Sequence, residues 1–146
     1  MERVLFLRTV DLFSGIAGED LAPLATVAEE ARFKAGDILI RQGEVGDGLY
    51  IIVDGEVEIR ASSDSQIAVR RSGSVIGEMA VLSGQLRSAT CIAASEVLAL
   101  RMLRDDFLEM LAERPALALG IINILTQRLT EVTQRLANTS ERELSR

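Results

Sequence analysis

The chain has no histidine, no tryptophan, a single tyrosine, a single cysteine and two prolines. Without histidine it lacks the commonest general base and every Ser-His or Cys-His nucleophile pair. With one cysteine and no imidazole, the usual zinc and non-haem iron ligand sets cannot be assembled. The expectation is a protein that is not an enzyme and holds no metal or cofactor. Cys91 cannot form an intrachain disulfide, and its place in the apolar run Thr90 to Ala94 predicts a small buried core residue rather than a reactive thiol. Long apolar runs are missing too, none approaching the roughly 20 residues that cross a bilayer. The N-terminal Met1-Glu2-Arg3-Val4-Leu5-Phe6-Leu7-Arg8 lacks the longer apolar stretch and small-residue cleavage site of a secretory signal. Together these absences predict a soluble, cytoplasmic protein. The net charge of −6 and the lack of any basic run argue against a nucleic-acid-binding surface, which needs clustered Lys and Arg. One buried arginine can still dominate its own anion pocket.

What is present fits a single domain spanning residues 1–146. Residues 1–31 form a helical segment. Val4, Leu7 and Val10 recur at helical spacing, and Glu19-Asp20-Leu21-Ala22-Pro23 opens a second helix with acidic residues and proline. From residue 32 to 102 short runs alternate with glycine punctuation: Gly36-Asp37, Gln42-Gly43-Glu44, Gly46-Asp47-Gly48, Asp54-Gly55, Ser72-Gly73 and Ser83-Gly84. Strands are predicted at Ile38 to Arg41, Leu49 to Val53, Glu56 to Arg60, Gln66 to Arg70, Ala89 to Ala94 and Val97 to Met102, with Asp54-Gly55 as a type I′ hairpin turn. The fold class is mainly β with flanking helices, a closed β-barrel or jelly roll without long exposed edges. Residues 103–140 return to the helical period, in Asp105 to Glu113 and in a long helix from Pro115 to about Asn138. There Ala118, Ile122, Leu125, Leu129, Val132 and Leu136 make a heptad seam. Two readings fit: the stripe packs onto its own barrel, or the helix (116–138) also pairs with a second copy as a homodimer.

The informative stretch is Gly77-Glu78-Met79-Ala80-Val81-Leu82-Ser83-Gly84-Gln85-Leu86-Arg87-Ser88-Ala89-Thr90. Glu78 to Leu82 can form one helical turn after Gly77, whose missing side chain admits a close approach to backbone, and the free N–H groups at such a start attract anions. Arg87 can return across a tight Ser83-Gly84 turn to face that start, where its planar guanidinium clamps two phosphate oxygens and Ser88 adds a hydroxyl. Glu78, repelled by phosphate, is suited to a ribose hydroxyl. The same two residues also fit an ordinary surface ion pair.

This stretch closely resembles the phosphate-binding cassette of the cyclic-nucleotide-binding domain family, with Gly77, Glu78, Ala80, Arg87, Ala89 and Thr90 matching in register. The resemblance extends to Leu12-Phe13-Ser14-Gly15, to Gly36-Asp37 with Gln42-Gly43-Glu44, and to Leu49-Tyr50 through Gly55, and so covers essentially the whole chain. It implies that Glu78 takes the ribose 2′-hydroxyl, that Arg87 takes the cyclic phosphate with backbone amides of Met79 and Ala80, and that Ser88 assists. Gly77 and Ala89 complete the ligand-binding set. It also implies a final helix that acts as a lid over the base, with Arg128 either a lid residue or an ordinary solvated one. Serine after the arginine occurs in bacterial cAMP binders of the family, which implies cAMP as the ligand in preference to cGMP.

In the family's transcription factors a helix-turn-helix follows the long helix, whereas this sequence ends at Arg146. The expectation is therefore no direct DNA binding by this chain and no membrane insertion. The module would control an attached or partner effector such as a transporter, channel or signalling protein, and would fit the cytosolic part of a membrane protein. A structural or dimerising module with an unoccupied pocket is the alternative.

Overall fold

The computed structural model describes residues 2–61 and 66–144. Its eight strands are β1 (Glu29–Phe33), β2 (Ile38–Ile40), β3 (Gly48–Asp54), β4 (Val57–Arg60), β5 (Gln66–Arg70), β6 (Val75–Ile76), β7 (Thr90–Ala93) and β8 (Val97–Leu103). They form two antiparallel four-stranded sheets, in the orders β1-β8-β3-β6 and β2-β7-β4-β5. Ile40, Val57, Cys91 and Ala93 of one sheet meet Ile52, Ile76, Val97 and Ala99 of the other in a single core, so the sheets close face to face as a jelly roll.

The helices are α1 (Arg3–Leu7), α2 (Gly18–Val27), α3 (Glu78–Ser83), α4 (Arg104–Glu113) and α5 (Pro115–Leu144), with a 3-10 turn at Asp11–Phe13. They pack on the outer face of the β3/β8 sheet, α3 through Val81, and this second core also contains Leu12, Phe13, Leu24, Leu49, Ile51, Leu100, Met102, Phe107 and Leu117. β3 lies between the two cores. Leu49, Ile51 and Val53 belong to the helical side, Tyr50 and Ile52 to the inter-sheet side. A strand covered on both faces has no polar side to display, which accounts for the unbroken apolar run.

Three sequence expectations need correction. The β region begins at Glu29 rather than residue 32 and ends at Leu103 rather than Met102. β1 is an edge strand pairing with β8 alone, so its outward residues tolerate the charges of Glu29-Glu30-Ala31-Arg32, which hide the strand from a hydrophobic pattern. Asp54-Gly55 is not a hairpin turn. β3 pairs with β6 and β8 and β4 with β5 and β7, so the dipeptide carries the chain from one sheet to the other. Position 55 requires glycine twice over, since its φ is +100 and a Cβ there would collide with the Glu96 carbonyl. Pro23 lies in the second turn of α2, which begins at Gly18. Lacking an N–H, it leaves the Glu19 carbonyl without its helical donor, and Arg114 Nη1 donates to that oxygen at 3.1 Å.

In α5 Leu117 and Ile121 are buried against the domain and the heptad residue Leu125 packs on the same core, whereas the heptad residues Ile122, Leu129, Val132 and Leu136 are 48% to 67% exposed. No helix among the described residues is long and apolar enough to cross a membrane.

Candidate functional site

α3 is set between two glycines in the left-handed region, Gly77 at φ +84 and Gly84 at φ +75, so neither end can carry an ordinary side chain without strain. A Cβ on Gly77 would lie 2.6 Å from Arg87 Nη1 and 2.8 Å from Ile40 Cδ1. What the missing side chain makes room for is therefore the guanidinium itself.

Arg87 is the one charged or polar residue among those described that is buried, at 6% exposure. Its main chain is fixed by the Gln42-Gly43-Glu44 loop: Gly43 N donates to Arg87 O at 2.9 Å and Arg87 N donates to Glu44 O at 2.8 Å. The Gln42 N–H donates in turn to Thr90 Oγ1 at 3.0 Å, tying the loop to the strand after the cassette. The side chain crosses back as the spacing predicts. Nη1 donates to Gly77 O at 3.0 Å, and Nη2 donates to Gly48 O and stands 3.5 Å from Asp47 Oδ1. Asp47 also stands 3.5 Å from Arg101 Nη2. Its role was invisible in the sequence, since it is 40 residues from Arg87. A guanidinium has five N–H donors, so Arg87 keeps others for an incoming anion beside the first-turn amides of Met79 and Ala80.

Glu78 does not pair with Arg87, which excludes the surface ion pair between them. Its side chain is 14% exposed and 3.8 Å from Arg128 Nη1, while Arg128 Nη2 lies 3.4 Å from Asp11 Oδ1. Burial raises the Glu78 carboxyl above its ordinary pKa. Its own backbone N–H and the charge of Arg128 oppose that shift, Asp11 adds to it and Arg70 opposes it.

Between these groups lies an open cavity of about 160 Å³. Gly77, Glu78, Met79, Ala80, Arg87, Ser88 and Ala89 all line it, with Ile40, Ile59, Val75, Ile76 and Cys91 as apolar walls and Arg70 beside them. Cys91 is buried as expected, and desolvation pushes its thiol up to about 11, so it is an inert wall. Arg128 lines not this cavity but the polar one next to it, which shares Arg70, Val75 and Glu78. The arrangement offers a buried cation with free amides at one end and a hydroxyl-accepting carboxylate beside it. Sequence reasoning missed Asp47, Asp11 and Arg70.

The family model for the cyclic nucleotide-binding domain matches residues 30–114, which contain both sheets almost entirely and the whole cassette. The CRP-like cAMP-activated global transcriptional regulator of Mycobacterium tuberculosis is 27% identical over 136 residues, covering 90% of this chain and 61% of that protein. A cyclic nucleotide-gated potassium channel of Rhizobium etli is 35% identical over 109 residues, covering 75% of this chain and 30% of the channel. The chain thus spans about three-fifths of the first relative's length and less of the second's. The N-terminal domain of a transcriptional regulator from Streptomyces coelicolor superposes with a TM-score of 0.76 at 30% identity, covering 88% of this chain and 95% of that one. A jelly roll with this cassette, matched over more than half its length, belongs to the cyclic nucleotide-binding domain family.

Proposed function

We propose that the chain is a non-catalytic regulatory module that binds a cyclic nucleotide, cAMP in preference to cGMP. The observation that carries this reading is Arg87, a cation held almost completely buried at the wall of a cavity where Glu78 is the neighbouring acceptor. Its guanidinium is aimed by the Gly77 and Gly48 carbonyls and by Asp47, and the N–H donors these leave over suit an anionic ligand. The cyclic phosphate sits on Arg87 and the amides of Met79 and Ala80, and a ribose hydroxyl donates to Glu78. Ser88 next to Arg87 supports cAMP. The names of the relatives point the same way, one being cAMP-activated and the other gated by cyclic nucleotide.

The response passes through α5. Arg128 on that helix lies 3.8 Å from Glu78, so a hydroxyl arriving at the carboxylate alters an ion pair between the helix and the cassette. The exposed heptad seam of α5 supports pairing with a second copy. The effector is then a further domain or a partner protein.

Isothermal titration of the nucleotide-stripped chain with cAMP and with cGMP tests the reading. Saturable one-to-one binding is expected, tighter for cAMP. Arg87→Ala should weaken it by a hundredfold or so, the effect of unpairing a buried charged contact, about 2–3 kcal/mol. No heat with either nucleotide favours instead a structural module that uses only its α5 seam.

A further inference from the structure

α5 carries a glycine, Gly120, in its interior, where that residue is disfavoured relative to alanine and where no positive φ calls for it. The reason is steric. A Cβ at position 120 would collide with Ile16 Cγ1 and lie 2.7 Å from Ile16 Cδ1. Ile16 is a buried knob seated in a notch of the helix. The knob is fixed on its own side, since the Ile16 N–H donates to Phe13 O at 3.1 Å.

Two further contacts join the same two segments. Just before α5, Arg114 Nη1 donates to Glu19 O at 3.1 Å and to Asp20 Oδ1 at 3.3 Å. About 12 Å along the axis from the notch, by the rise of an α-helix, Arg128 Nη2 stands 3.4 Å from Asp11 Oδ1. The ascending helix thus meets the N-terminal segment in descending order. Leu117, Ile121, Ile124 and Arg128 are spaced four, three and four apart, which is one stripe of a helix. The first two are buried and the third packs on the same core, so Arg128 is the charged end of the docked face. Its Nη1 lies 3.8 Å from Glu78 Oε1.

A slide of α5 by one residue would bring Leu119 or Ile121 onto the knob and turn Arg128 by about 100° away from both carboxylates. The charge of Arg128 favours the ionised form of Glu78, the form that accepts from a hydroxyl without offering a proton of its own. We propose that Ile16 and Gly120 are positioning residues for the nucleotide site: the knob in the notch sets the register of α5 and so holds Arg128 between Asp11 and Glu78, tightening the grip on the ribose. Neither residue lines the ligand cavity. The proposal rests on the cyclic-nucleotide reading of that cavity.

The test is titration with cAMP of the full chain, Gly120→Ala, Arg128→Ala, the two combined, and the size swap Gly120→Ala with Ile16→Ala. Gly120→Ala should weaken binding about fivefold, as Arg128→Ala should, the effect of losing one partly exposed ion pair. Adding Gly120→Ala to Arg128→Ala should weaken it no further, because the notch acts through that side chain. The swap should recover most of the affinity, since the Ile16 Cβ would lie 3.8 Å from the new methyl, an ordinary contact. A notch that merely supports the fold would shift melting temperatures without producing this pattern. Unaltered affinity in Gly120→Ala overturns the proposal, as does a further loss in the Arg128→Ala background or a swap that recovers nothing. If the unsubstituted chain binds neither cAMP nor cGMP, the reading of the cavity fails and the register lock falls with it. Binding by the parent that Gly120→Ala leaves unchanged refutes the lock alone.

Discussion

Glu78 is a carboxylate kept in surroundings that disfavour its charge. Its folded-state pKa lies above the ordinary carboxylate value, chiefly through burial, so the native state binds more protons than the unfolded state across the interval between the two. Stability contributed by the protonated form is complete below the unfolded pKa of about 4.5 and is lost as pH rises through the raised value. Ionised Glu78 therefore costs stability at neutral pH. Glu78→Gln should melt no lower than the parent at pH 7, with any advantage closing at pH 4, while binding cyclic nucleotide more weakly; thermal melts at both pH values check this. A lower melting point for the variant at pH 7 would mean that the contact with Arg128 outweighs desolvation. Glu78 and Arg87 were legible because a short local spacing carries their partnership with one helix start. Asp47 and Asp11 were not, because their partners lie far along the chain. Arg70 was not, because the face a residue occupies depends on register with another strand.

α3 depends on the left-handed geometry of Gly77 more than on any side chain within it. Gly77→Ala forces a Cβ into the left-handed region and against Arg87 Nη1 and Ile40 Cδ1, contacts of 2.6 and 2.8 Å. Urea denaturation should show a loss of about 1–3 kcal/mol. Because the guanidinium must shift, titration should show cAMP affinity falling at least in parallel. Unchanged affinity in a destabilised protein would separate the helix start from the aim of Arg87. Strands were readable where turn residues bounded an apolar run, as at Leu49 to Val53 between Gly48 and Asp54-Gly55, and at Val97 to Met102 after Ser95-Glu96. The hairpin at Asp54-Gly55 misled because turn chemistry specifies a change of direction and not the sheet the next strand joins. β1 stayed hidden because pairing along one edge demands little hydrophobicity.

At the scale of the whole molecule, two cores share the β3/β8 sheet, with the ligand cavity on one side and the helical layer on the other. α5 buries Leu117 and Ile121 in that layer and leaves Ile122, Leu129, Val132 and Leu136 uncovered over the following turns. Light scattering coupled to size exclusion should give twice the chain mass, and the double variant Leu129→Glu, Val132→Glu should return a monomer with its cyclic-nucleotide affinity retained. A monomeric parent would leave the seam for a different protein. The aim of Arg87 does not depend on that seam, because the main-chain oxygens of Gly48 and Gly77 grip its guanidinium. Carbonyls belong to the path of the chain, not to the identity of its residues. Protein engineers can therefore repaint Ile59, Ala68, Arg70 or Ser88 to suit other small anions, such as sulfonates or phosphonates used in reporters, while the central cation keeps its bearing.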